Sequence, residues 1–129
     1  MHLEEYDYLS GTDIGPAERL DFGNVIAGQH STHPVVFRIS ADISDATSMH
    51  GLRLYQASKD TWTDAVFSYY TNPSFTPIES SDPRMMPFDS TGVSLGWDGT
   101  NSDFVWIDVD LPPDQTGLAE PTFRITFET

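Results

Sequence analysis

The chain has 129 residues, no cysteine, and six Lys and Arg against twenty Asp and Glu, for a formal net charge of −14 at pH 7. One domain of this length buries roughly two thirds of its unfolded-chain surface without disulfides, and the lack of thiols excludes thiolate metal sites and cysteine chemistry. A surface this acidic repels phosphate backbones, which argues against nucleic acid, and the sequence shows neither a basic n-region with an apolar run nor a long apolar stretch, so neither a signal peptide nor a membrane span is expected.

Residues 1–15 mix acids (Glu4, Glu5, Asp7, Asp13) with apolar groups (Leu3, Tyr6, Tyr8, Leu9, Ile14) and hold no sustained period. This reads as an N-terminal arm that buries Leu3, Tyr6, Tyr8 and Leu9 on a neighbouring protein, with a frayed or self-docked terminus as the competing reading. Gly15-Pro16 punctuates the boundary with a single domain over 16–129. Leu20 and Phe22, then Val35, Phe37 and Ile39, alternate as two strands around a turn supplied by Gly23 and Gly28. Leu52 and Leu54 resume the alternation after a polar loop, and Ala65 to Tyr70 follows as a β-branched and aromatic strand. With Pro77, Pro83 and Pro87, the stretch from Thr76 to Gly92 reads as a long excursion; Met85, Met86 and Phe88 in it are apolar enough to pack on the domain or on a neighbour.

Asp98-Gly99 signals a hairpin turn into Ser102 to Leu111, the most regular strand of the chain. Val105, Ile107, Val109 and Leu111 share one side, and Phe104, Trp106, Asp108 and Asp110 share the other. The first side is expected to face the core. The second is expected to present Phe104 and Trp106 as a contact surface, so that Trp106→Ala spares the fold and weakens docking. Thr122 to Glu128 closes the chain with Phe123, Ile125 and Phe127 on one face. About seven short strands without an amphipathic helical run predict an all-β, immunoglobulin-like antiparallel β-sandwich with an extended N-terminal arm.

Leu20, Phe22, Gly23, Val25 and Gly28 resemble the L-x-F-G-x-V-x-x-G opening of hydin-type immunoglobulin-like domains, which implies a sandwich and no activity. A second resemblance spans most of the chain after Arg19. The segments LDFGNVIAGQHS, GLRLY, Tyr69-Tyr70, SLGWDGT and FVWIDVDLP resemble the small structural proteins of tailed bacteriophage virions. That resemblance implies an assembly subunit located in the virion, assembled in the host cytoplasm, whose partners are other virion proteins or further copies of itself. Tail, baseplate or fibre attachment is the leading placement and capsid decoration the alternative.

Asp108 and Asp110 lie about 6.6 Å apart by strand rise, a spacing compatible with glycoside hydrolysis, but a solvated face with a cross-strand cation such as Arg124 explains them as well. Asp98, Asn101 and Asp103 crowd a turn that could suit calcium, although Asx residues favour such turns unaided. His30 and His33 lack further ligands, and neither a G-x-S-x-G elbow nor a phosphate-binding Gly-rich loop is present. The expectation is therefore a protein that is not an enzyme, without cofactor or metal. Trp62, Tyr69, Tyr70, Trp97 and Trp106 could form a carbohydrate platform, a third reading behind protein contact. The interface candidates are Leu3, Tyr6, Tyr8, Leu9, Met85, Met86, Phe88, Phe104 and Trp106.

Overall fold

The computed structural model describes residues 2–17, 28–29, 34–40, 49–76, 84–87, 92–115, 119 and 121–128. They form β1 (His2–Tyr6), β2 (Asp13–Ala17), β3 (Val35–Ser40), β4 (His50–Ser58), β5 (Val66–Asn72), β6 (Arg84–Met85), β7 (Val93–Ser94), β8 (Phe104–Asp110) and β9 (Thr122–Glu128), with no helix among the described residues. The strands make two antiparallel sheets, a six-stranded one in the order β2-β1-β3-β8-β5-β6 and a three-stranded one in the order β7-β4-β9. The first strand of the sequence pairing, residues Leu20 to Val25, lies outside the described residues, as do His30, His33 and Phe88.

Alternation explains how the sheets close on one another. Val35, Phe37 and Ile39 of β3, Phe67 of β5, and Val105, Ile107 and Val109 of β8 project from the six-stranded sheet into one buried cluster with Leu52 and Leu54 of β4. Phe123 and Ile125 of β9 pack against the same cluster. Each fully buried side chain of this kind contributes about 1.5–3 kcal/mol by leaving water, so the facing residues of the two sheets hold the sandwich together. Strand β8 is central: it pairs with β3 through Val35–Ile107 and with β5 over its full length, from Val66–Asp110 to Asn72–Phe104. The all-β sandwich expected from the alternating pattern is the observed architecture.

The N-terminal segment differs from an arm that stands off the domain. Strand β1 pairs with β3 from His2–Ser40 to Tyr6–Val36, and β2 folds back on β1, so residues 2–17 are part of the six-stranded sheet. The boundary placed at Gly15-Pro16 therefore falls within β2. Local polar groups close this hairpin: Asp7 Oδ1 accepts from the backbone N–H groups of Leu9 at 3.0 Å and Ser10 at 2.9 Å, and Asp7 N–H donates to Thr12 O. A register shift between Glu5 and Tyr6 breaks the alternation, which is why no clean period is visible there.

The Asp98-Gly99 turn forms, with Trp97 bridging Ser102 across it, yet its flanking strands belong to different sheets: β7 lies in the small sheet and β8 in the large one. Ser102 secures that crossing. Its buried hydroxyl accepts from Ile39 N–H at 2.9 Å and donates to Asp103 O at 2.8 Å. In the Thr76 to Gly92 stretch, β6 adds to β5 through Ser68–Met85 and Tyr69–Arg84. Gly92 has φ +61, and a Cβ there would sit 2.8 Å from Leu54 O, so the entry into β7 requires glycine both for its backbone angle and for its close approach.

Candidate functional site

The outer face of the six-stranded sheet, away from the small sheet, carries the residues first singled out. Register aligns Tyr6 with Val36, Val36 with Trp106, and Trp106 with Tyr70, a row of four side chains running across β1, β3, β8 and β5. Phe104 lies two residues from Trp106 on the same face, opposite Asn72. Tyr6 meets Phe104 edge-on at 5.0 Å between centroids, and Phe75 meets Phe104 at 5.7 Å and Trp106 at 5.6 Å. Tyr70 leans on Trp106 at 5.4 Å. These edge-on and tilted geometries are the ones that place a ring's positive edge toward a neighbour's negative face.

The expectation of an exposed Phe104 and Trp106 is corrected by this packing. Trp106 is 1% exposed and Phe104 8% exposed, and together with Tyr6 and Val36 they form a second buried cluster covered in part by Tyr8, Tyr70 and Phe75. The chain satisfies both faces of β8 itself. The N-terminal hairpin is the lid: Gly11 lies so close to Phe75 that a Cβ there would stand 2.8 Å from its Cδ1. Sequence periodicity assigns Phe104 and Trp106 to the correct side of the strand, but it carries no information about what covers that side.

Arg38, on the same face of β3, lies with its guanidinium carbon 4.7 Å from the Phe104 ring centroid and 5.3 Å from that of Tyr6. Such stacking shelters the arginine stem and places its charge over the ring quadrupoles. Burial pushes the Tyr6 hydroxyl above its ordinary range, opposed by the charge of Arg38 and a hydrogen bond to it. Arg38 Nε and Trp106 Nε1 are buried without hydrogen-bond partners among the described residues.

The other interface candidates separate into buried and exposed groups. Leu3 packs against the main core, Tyr8 against the outer cluster, and Met86 is 3% exposed. Leu9 is 65% exposed at the tip of the N-terminal hairpin, and Met85 is 73% exposed on β6. Ile14 on β2, absent from the interface candidates, is 60% exposed. Thus the largest exposed apolar side chains near both ends of the six-stranded sheet come from Leu9, Ile14 and Met85. Of the carbohydrate-platform candidates, Trp62 and Trp106 are buried, and Tyr69, Tyr70 and Trp97 are half-buried.

Asp108 stands opposite Ser68 and Asp110 opposite Val66 on β5, whereas Arg124 belongs to the other sheet opposite Tyr55, so it is not their cross-strand cation. The Asp98 turn directs its oxygens to its own chain. Asp98 Oδ1 accepts from Thr100 N–H at 2.8 Å and Asn101 N–H at 2.7 Å, and the Asn101 and Thr100 N–H groups hold its carboxyl below the usual range. Asn101 Oδ1 accepts from Ser40 Oγ, and Asp103 Oδ2 accepts from Gly96 N–H. Among the described residues, no cluster of three His, Cys, Asp or Glu side chains is placed to hold a metal ion.

One residue that the sequence reading passed over is Gln56. It shares the inward parity of Leu52 and Leu54 on β4 and is 0% exposed, yet neither its Oε1 nor its Nε2 has a hydrogen-bond partner among the described residues. A polar side chain at a core position of the alternation was the available signal. Comparison with protein-family models, with curated proteins and with solved structures gives no match.

Proposed function

We propose that this chain is a non-enzymatic structural subunit of a tailed bacteriophage virion that docks onto neighbouring particle proteins, at the tail, baseplate or fibre attachment. The observation that carries the docking part is the pair Leu9 and Ile14, 65% and 60% exposed on the hairpin that ends the six-stranded sheet. Two large apolar side chains left exposed on one short hairpin supply the apolar part of a contact surface. The same edge carries Asp13 and Pro16, and a charge and a missing N–H discourage indiscriminate strand pairing. Docking therefore proceeds through side chains rather than by continuing the sheet. The virion part of the reading rests on the sequence resemblance, and the net charge of −14 suits a subunit that must stay apart from its copies before assembly.

A Leu9→Asp, Ile14→Asp double variant tests the docking surface. Both side chains are exposed, so the variant is expected to melt as the wild type does and to be lost from purified particles. Normal incorporation of a folded variant would overturn the assignment of this edge.

A further inference from the structure

Between the sheets, near the edge formed by β5 and β6, lies a cavity of about 300 Å³ lined by Gln56, Lys59, Val66, Phe67, Met85, Met86 and Pro87. That volume is at the small end of ligand pockets, enough for a single ring with one substituent. Its walls are largely apolar, and Gln56 projects from β4 toward the sheet that carries Phe67. A buried carboxamide normally bonds at both ends, because an unmet donor or acceptor forfeits its hydration without replacement. Gln56 meets neither need, while its own backbone N–H is satisfied by Pro87 O at 2.9 Å. An apolar cavity next to an unmet donor and an unmet acceptor on one planar group defines a ligand by complement.

We propose that this cavity is a binding site for a small uncharged molecule that joins an apolar ring to a primary carboxamide or lactam. The ligand's N–H donates to Gln56 Oε1, its C=O accepts from Gln56 Nε2, and its ring lies against Phe67 and the two methionines. The cavity already opens to solvent past Val66 and Met85, but the Gln56 amide has no accessible surface as the chain stands, so a ligand reaches it only when the lining shifts. Met85 is the movable part: it is 73% exposed on a two-residue edge strand, and unbranched thioethers repack readily. The site is independent of the docking edge, which lies at the other end of the six-stranded sheet.

Benzamide is the probe, with benzoate and toluene as controls for charge and for ring burial alone. Titrated into the isotopically labelled chain, benzamide is expected to shift the Gln56 side-chain amide resonances saturably, with a dissociation constant on the order of 1 mM for so small a ligand. Toluene and benzoate should bind at least tenfold more weakly, since a site built around unmet polar groups rejects analogues that leave them unmet. Gln56→Met keeps the length of the side chain and removes the amide; it should melt no lower than the wild type and lose the preference for benzamide over toluene. An unchanged preference in Gln56→Met, or no saturable shift of Gln56 in the wild type, would overturn the proposal. So would a long-lived water at the Gln56 amide that benzamide fails to displace.

Discussion

Replacing Trp106 with Ala separates the two possible readings of the outer face. The indole is 1% exposed and touches Phe75, Tyr70 and Phe104, with ring centroids 5.4–6.1 Å away. Truncating a buried tryptophan to alanine costs about 3–5 kcal/mol through lost transfer energy and the residual cavity. Relief of the unpaired indole N–H returns about 1–2 kcal/mol of that, since the desolvation of an unmet donor is removed with it. The net loss of about 1–4 kcal/mol is a large share of the 5–15 kcal/mol typical of a domain, and lowers Tm by on the order of 10 °C. Trp106→Phe keeps a ring in the cluster and removes the donor, so it should lie within about 1 kcal/mol of the wild type. Chemical denaturation followed by far-ultraviolet circular dichroism reads both. A Trp106→Ala variant with an unchanged midpoint would mean that the ring faces solvent, and the reasoning about the outer cluster would fail.

Ser102→Ala should cost about 1–3 kcal/mol, because it leaves the Ile39 N–H without its acceptor in a buried position; denaturation midpoints check this, and a neutral result would show that the bond contributes nothing. Tyr6 predicts an alkaline dependence. Its folded pKa is raised above the ordinary 10.0, so the unfolded chain loses the phenol proton first and stability falls as pH climbs past 10 toward the folded pKa. Tyr6→Phe should flatten that part of the stability–pH curve while leaving the slope below pH 9 alone; an unaltered alkaline slope would remove Tyr6 as its source.

Strand identity in this chain is legible wherever one face is uniformly apolar. The runs at Val35 to Ile39, Leu52 to Gln56 and Val105 to Leu111, with Phe123 and Ile125, place one parity between the two sheets, whereas Val66 to Tyr70 is legible by its β-branched and aromatic composition rather than by alternation, and Phe127, on the parity of Phe123 and Ile125, is 43% exposed. Residues 2–17 were not legible as strands, since the shift at Glu5 and Tyr6 and the turn from Asp7 to Thr12 interrupt the period, and their acids suggested an arm. The exposure expected of Phe104 and Trp106 follows from this, because the hairpin supplies Tyr6 and Tyr8 to the cover that Tyr70 and Phe75 complete. The Asp98-Gly99 turn was legible as a turn, but not as a crossing between sheets, because turn chemistry is local and sheet membership is not. For the candidate surface, exposure selects Leu9 and Met85 from residues whose composition alone made them equivalent to Tyr6 and Met86.

The proposed role is tested most directly by the copy number of this chain in purified, nuclease-treated phage particles, measured by quantitative mass spectrometry against the major capsid protein. A tail or baseplate subunit is expected at a few dozen copies or fewer for each particle, in fixed ratio to the tail proteins. Hundreds of copies would assign it to capsid decoration instead, and its absence from intact particles would contradict the structural role altogether.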